Sequence, residues 1–279
     1  MLVCERRFDA LTMTTLMMKK KDHSNGGLRM TTVTIDKNRL KTLIGTLGPD
    51  VGDARMQAKD MGLEAEVALT THYVRVRTSA NVKESGEIVI SDLKKLNDFL
   101  KTLRTEWNSI MLHQPKDQPL RISCGKTSLT IPTSEYIKSA VSVPRARQAI
   151  QDAEDNNWKA WVGTPLTHSG RVKCADLEPA AKMHKVVGKD RSFFTQFEKN
   201  EFTIYAGNKG ATQMFVAMGV ENGDGEHSVE SLFGPWLPSL IDTLPGGHVD
   251  IYTADQTVLI LDHVEKEHLL MIIDQQEEI

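Results

Sequence analysis

The densest chemistry in this sequence is cationic. In residues 85–103, SGEIVISDLKKLNDFLKTL, and just beyond, Lys94, Asn97, Lys101 and Arg104 recur at helical spacing, opposite a leucine stripe of Leu93, Leu96, Leu100 and Leu103. Such a face holds cationic groups on long, mobile stems toward solvent. It suits a repeating polyanion such as a phosphate backbone, bound by charge without any reading of base edges. A single lysine stripe usually does no more than solvate a helix. This one is repeated. Lys37 and Lys41 sit in an earlier helical segment, with Arg39 and Lys95 less defined in direction, and Lys182, Lys185 and Lys189 sit in a later one.

Other reactive residues form no constellation. His168, Cys174 and His184 lack metal-ligand spacing. His184 falls on an apolar helix face and reads as a packed histidine. Ser, His and Asp are frequent, but no nucleophile elbow holds them. GNKG at 207–210 lacks the order of a phosphate loop, and ENGDGEH at 221–227 lacks the ligand spacing of a calcium loop, so both read as turns. Trp158, Trp161 and Trp236 read as local packing or a partner surface. No catalytic residue, metal or cofactor is implied.

The elements that position the lysines follow from periodicity. The chain has 279 residues, of which 40% are hydrophobic and 25% charged, with a formal net charge of −3. This is a globular composition with room for two domains. A slightly acidic total argues against bulk adhesion to nucleic acid or lipid and leaves room for a local basic surface. No apolar run approaches the ~20 residues that span a bilayer. Three distant cysteines, Cys4, Cys124 and Cys174, give no disulfide framework and fit a reducing, intracellular setting.

A strand at 31–35 runs into a helix with Asp36 as N-cap. Leu40, Leu43, Ile44 and Leu47 form its buried side, and Gly48-Pro49 stops it. Alternating strands follow. Residues 87–90 and the opening helix repeat the unit, with Ser91 or Asp92 as cap. GRVKC and ADLEPAAKMHKVVG start a third unit, with Leu177, Ala180 or Ala181, His184 and Val187 inward. HSVESLF and GPWLPSLIDTL start a fourth, whose helix has no Lys or Arg. The expected organisation is a disordered extension at 1–30 (or a natural start at Met30), one domain at 31–133, a connector with insertion at 134–170 containing a short helix near 145–154, and a second domain at 171–279. The fold class is α+β: two similar domains, each a duplicated strand–helix–strands unit.

Three stretches in this layout resemble the DNA sliding clamps of the proliferating cell nuclear antigen type. They are LKTLIGTLGPDVGDARMQAKDMGLEAEVALTTHYVRVR, GEIVISDLKKLNDFLKTL with LRISCGKTSLTIP, and the C-terminal FGPWLPSLIDTLPGGHVDIYTADQTVLILDHVEKEHLLMIIDQQEE. The resemblance covers most of 31–279 and rests on order and spacing. It implies a head-to-tail homotrimer with helices lining a hole for double-stranded DNA. Lys37, Lys41, Lys94, Lys101, Arg104, Lys182, Lys185 and Lys189 would then face the phosphates. It further implies partners, namely a DNA polymerase and other proteins with a clamp-binding motif, and a clamp-loader ATPase. LTIPTSEY at 129–136 resembles the family's connector and MIIDQQEE its tail. By that likeness Leu129, Ile131, Pro132, Ile272 and Ile273 are candidates for a partner-binding pocket, although Leu129 and Ile131 also fit ordinary alternating strand positions. A monomeric or checkpoint-like clamp relative is the alternative within the fold. A small α+β enzyme is the alternative outside it and would need a polar pocket with a perturbed acid–base pair.

Overall fold

The structure is a computed structural model that describes residues 30–48, 51–132, 138–188, 191–206 and 213–274. The expectation for residues 1–29 lies outside them.

Four units follow one another. The first is β1 (Met30–Asp36), α1 (Lys37–Gly45), β2 (Ala54–Lys59), β3 (Gly62–Ala68), β4 (His72–Ser79) and β5 (Asn81–Glu84). The second is β6 (Gly86–Ile90), α2 (Leu93–Thr102), β7 (Ser109–Pro115), β8 (Leu120–Cys124) and β9 (Thr127–Ile131). A connector holds α3 (Lys138–Asp155) and the small hairpin of β10 (Ala160–Trp161) and β11 (Thr164–Pro165). The third unit is β12 (His168–Lys173), α4 (Cys174–Ala181), α5 (His184–Val187), β13 (Phe193–Glu198), β14 (Glu201–Ala206), β15 (Met214–Gly219) and β16 (Glu221–Asp224). The fourth is β17 (Val229–Phe233), α6 (Leu237–Ile241), β18 (His248–Thr253), β19 (Val258–His263) and β20 (His268–Ile273).

Units exchange strands. β1 leaves its own unit and joins β7, β8 and β9 of the second, giving the order β5-β1-β7-β8-β9, while β6 joins β2, β3 and β4 of the first. The second pair of units repeats the exchange, with β12 beside β18, and β17 beside β13. Each domain thus contributes one sheet of five strands and one of four. Across the chain, β20 pairs antiparallel with β4, with Leu270 opposite Val74, so that the second domain's five strands and the first domain's four fuse into one nine-stranded sheet. A five-stranded sheet ending at β9 and a four-stranded sheet ending at β15 are left over.

The helices form for legible reasons. Asp36 accepts hydrogen bonds from the amides of Asn38 and Arg39, and Asp92 from that of Lys95, so each supplies the acceptor that a helix N-terminus needs. Leu93, Leu96 and Leu100 are buried on α2, as their spacing predicts. The third helix departs from expectation. It breaks after Ala181, and the turn that follows buries Met183 fully and leaves His184, expected on the inward face, only half-buried.

The connector departs further. Instead of a short helix it forms the 18-residue α3, with Pro144 inside it. α3 lies on the nine-stranded sheet face opposite the main core, where Val143, Ile150 and Ala153 pack with Tyr73, Leu269, Met271 and Ile260. This explains why every residue of β19 is buried: one face meets the core beneath the helices, the other the connector.

Ion pairs anchor α3. The carboxylate of Glu66, fully buried, is bonded by Arg147 and by the hydroxyl of Tyr73 at 2.5 Å. Glu154 receives Arg75, and the indole N–H of Trp158 donates to Asp262 of β19 at 3.1 Å. Burial and the neighbouring Glu66 carboxylate push the Tyr73 phenol well above its usual range.

Candidate functional site

α1 packs beside α2, and α4 beside α6. The sequence-predicted cations divide on this surface. Lys94, Lys101, Lys182, Lys185 and Arg104 are exposed, and Lys41 is half-buried. Lys101 pairs with Asp98 at 3.0 Å, and Lys182 pairs with Glu178 one helical turn earlier. Exposed pairs of this kind are worth at most ~1 kcal/mol, so a phosphate can displace the carboxylate. The Arg104 guanidinium lies 5.5 Å from the Trp107 ring centroid, past the end of α2.

Lys37 is placed differently. It is 5% exposed, and its ammonium donates to the carbonyl oxygen of Arg104 at 2.7 Å. Its own amide donates to the carbonyl of Asn108. It therefore ties the start of α1 to the segment after α2 rather than projecting outward. Lys189 lies outside the described residues.

The pocket candidates sit on two sheets. Leu129 and Ile131 are on β9, with Ile131 buried and Leu129 packed against the core, and Pro132 is exposed just beyond. Ile272 and Ile273 end β20. Ile272 is fully buried in the core; Ile273 is 37% exposed and its amide donates to the carbonyl of Thr71. Around Ile273 lie groups that sequence reasoning did not bring together. The Asp274 carboxylate accepts from the amide of Leu232 at 2.9 Å, and the His72 ring stands 5.6 Å from that of Trp236. Burial lowers the His72 pKa to about 4, so the ring is neutral. The only sequence signal for this cluster was Trp236, read as packing or a partner surface.

A cleft of about 660 Å³ opens where the two domains meet, lined by Arg39, Leu43, Val76, Leu244, Glu267 and His268 among others. The Arg39 guanidinium is bonded to the hydroxyl of Ser79 across its rim.

The two unmatched sheet edges differ from the fused one. Along β4 the first five residues are buried, and along β20 likewise. Along β15 burial alternates with exposure, and Phe215 is 72% exposed. Phe194, Tyr205 and Phe215 occupy neighbouring register positions across β13, β14 and β15, with the first two rings stacked at 5.1 Å. This aromatic row runs out at the open edge.

No protein-family model matches the chain, and no curated protein sequence matches it. Its fold is that of the DNA sliding clamps, as comparison with solved structures shows. A putative DNA polymerase III beta subunit from Eubacterium rectale superposes with a TM-score of 0.67 at 9% identity, over 92% of this chain and 68% of that one. Proliferating cell nuclear antigen from Thermococcus kodakaraensis gives 0.62 at 17% identity, over 88% of this chain and 100% of that one. The Helicobacter pylori beta clamp bound to a DNA ligase peptide gives 0.65 at 13%, over 89% and 67%. The first and third matches span two thirds of a longer chain and the second a whole one, in keeping with a two-domain form of the fold. Among the described residues, no helix is long and apolar enough to cross a membrane.

Proposed function

We propose that this chain is a DNA sliding clamp, a homotrimeric ring that encircles duplex DNA inside the cell, tethers replication enzymes to it and catalyses nothing itself. The observation that carries this reading is the pair of leftover edges. A four-stranded sheet ends at β15 and a five-stranded sheet ends at β9, and within the chain their counterparts β4 and β20 join. Joining β9 of one copy to β15 of the next would repeat that junction and remove both open edges. A heterologous contact of this kind generates a ring if its rotation closes. With two domains per chain, the six-domain ring implied by the clamp resemblance takes three copies.

The helix surface supports DNA in the hole. Lys94, Lys101, Lys182 and Lys185 sit on exposed, mobile stems, bind phosphate without fixing a register, and so permit sliding. The peptide-bound neighbour supports the capture of a partner's peptide, and the part-exposed Ile273, with Trp236 and Leu232 nearby, is the surface proposed to receive a polymerase or another clamp-binding protein. Tethering raises the enzyme's effective concentration at its substrate. A closed ring needs a loader ATPase to open it.

The test is the triple variant Lys94→Ala, Lys101→Ala, Lys182→Ala. Retention on nicked circular DNA should weaken and its salt dependence should become shallower, by up to ~0.9 in log–log slope for each phosphate no longer neutralised, while the oligomer mass stays the same. Unaltered DNA behaviour would remove these helices from the DNA surface.

A further inference from the structure

His263, the last residue of β19, and Glu265 and Glu267, in the turn to β20, stand at every second residue. A ring nitrogen of His263 and one carboxylate oxygen of each glutamate lie within 4.8 Å of one another. Two exposed glutamates at a turn would be an ordinary solvated surface. The histidine is what distinguishes them. His263 is 2% exposed. Its Nε2 lies 2.8 Å from the carbonyl oxygen of Gly246. A carbonyl only accepts, so Nε2 holds the proton and Nδ1 is left as a bare lone pair. That Nδ1 is buried and has no hydrogen-bond partner. A buried acceptor without a donor is costly, and a cation supplies what is missing. Metal-binding imidazoles commonly donate their other N–H to a backbone carbonyl, which fixes the tautomer and aims the free nitrogen. Gly246 provides such a carbonyl. Neither glutamate forms an ion pair among the described residues.

We propose that His263, Glu265 and Glu267 form a divalent-metal site of the zinc class. Nδ1 and two carboxylate oxygens supply three ligands, and the fourth position is open to water. A nitrogen with two oxygens suits Zn²⁺, whereas Ca²⁺ and Mg²⁺ take oxygen ligands. Closing the ligand set around an ion requires rotation of the two glutamate side chains, and both are exposed. The ion would join the β19–β20 turn, through His263 and Gly246, to the segment after α6. It would lie beside the domain junction, where the carbonyl of Glu267 already accepts from the amide of Arg77 at 2.8 Å.

The experiment is titration of Zn²⁺ into the full chain after chelator treatment and dialysis, followed by calorimetry and thermal unfolding. The wild type should bind zinc and unfold at a higher temperature with it. The variant Glu265→Gln with Glu267→Gln changes only exposed side chains. It should match the metal-free wild type in unfolding, lose at least the ~10–100-fold in zinc affinity that removal of an outer-shell partner costs, and lose the zinc-dependent rise. Absence of zinc binding, binding that survives the double substitution, or tighter binding of Mg²⁺ than of Zn²⁺ would each overturn the proposal.

Discussion

Strands β4 and β15 occupy the same position in the two domains, yet one is sealed and the other open. β4 is covered edge-on by β20 and from above by α3. Among the described residues, β15 has no strand on its far side, and it shows Phe215 to solvent. The same contrast separates β20 from β9. β4 and β15 each end a four-stranded sheet, and β20 and β9 each end a five-stranded one, so the pairs differ in what covers each edge and, with it, in how deeply the strand residues are buried. A fold that meets its own junction once within the chain leaves a second copy of that junction half made. The helices differ in parallel. α1 and α2 hold six Lys or Arg and one Asp, whereas α4 and α6 hold one Asp, one Glu and no Lys or Arg. Lys182 and Lys185, in the turn after α4 and in α5, add two cations, so in the proposed ring the first domain carries the larger share of the attraction for DNA.

The sealed junction is the place to break this comparison hardest. Leu270 is fully buried opposite Val74. Leu270→Ala should cost ~2–5 kcal/mol of chain stability, measured by denaturant unfolding. A cost below ~1 kcal/mol, well under the range for emptying a packed core site, would mean that the junction does not hold the two domains together.

A smaller effect concerns pH. His72 ends the sealed strand pair, opposite Ile272. Its folded pKa is lowered to about 4 by burial, while the unfolded value is ~6.5. The unfolded chain therefore binds the proton first. Stability is complete above about pH 6.5 and falls as pH drops toward 4, by on the order of 2–3 kcal/mol from this residue. His72→Gln should flatten that portion of the stability–pH curve. An unchanged curve would place the His72 pKa near its ordinary value.

The smallest effect on the chain, and the sharpest on the comparison, comes from the open edge. Phe215→Asp changes an exposed side chain and should alter chain stability by no more than ~0.5 kcal/mol. It should nonetheless prevent assembly, because it sets a charge in the row that a second copy would cover.

Much of this was legible in the sequence, for local reasons. Asp36 and Asp92 announced their helices, Leu93, Leu96 and Leu100 announced a buried face, and the fourfold strand–helix order survived without residue identity. What was not legible depends on residues far apart in the chain. α3 offered Val143, Ala146, Ile150 and Ala153 as a thin apolar stripe, with Pro144 within it. Its remaining anchors, Arg147 to Glu66 and Glu154 to Arg75, join residues about eighty positions apart, and no local period encodes them. Lys37 followed the outward spacing of Lys41, yet its place at the start of α1 puts its ammonium against the Arg104 carbonyl. His263 belonged to no recognised motif, and its unpaired nitrogen follows from a bond to Gly246 that only the fold creates. The aromatic row was hidden in the same way, since Phe194, Tyr205 and Phe215 meet only through strand register.

The most direct test of the ring is the solution mass of the purified chain at micromolar concentration, with Phe215→Asp beside it. The account predicts three times the chain mass of 31.2 kDa for the wild type and a single chain for the variant. A wild-type chain that remains monomeric would contradict it, leaving the clamp fold without the ring.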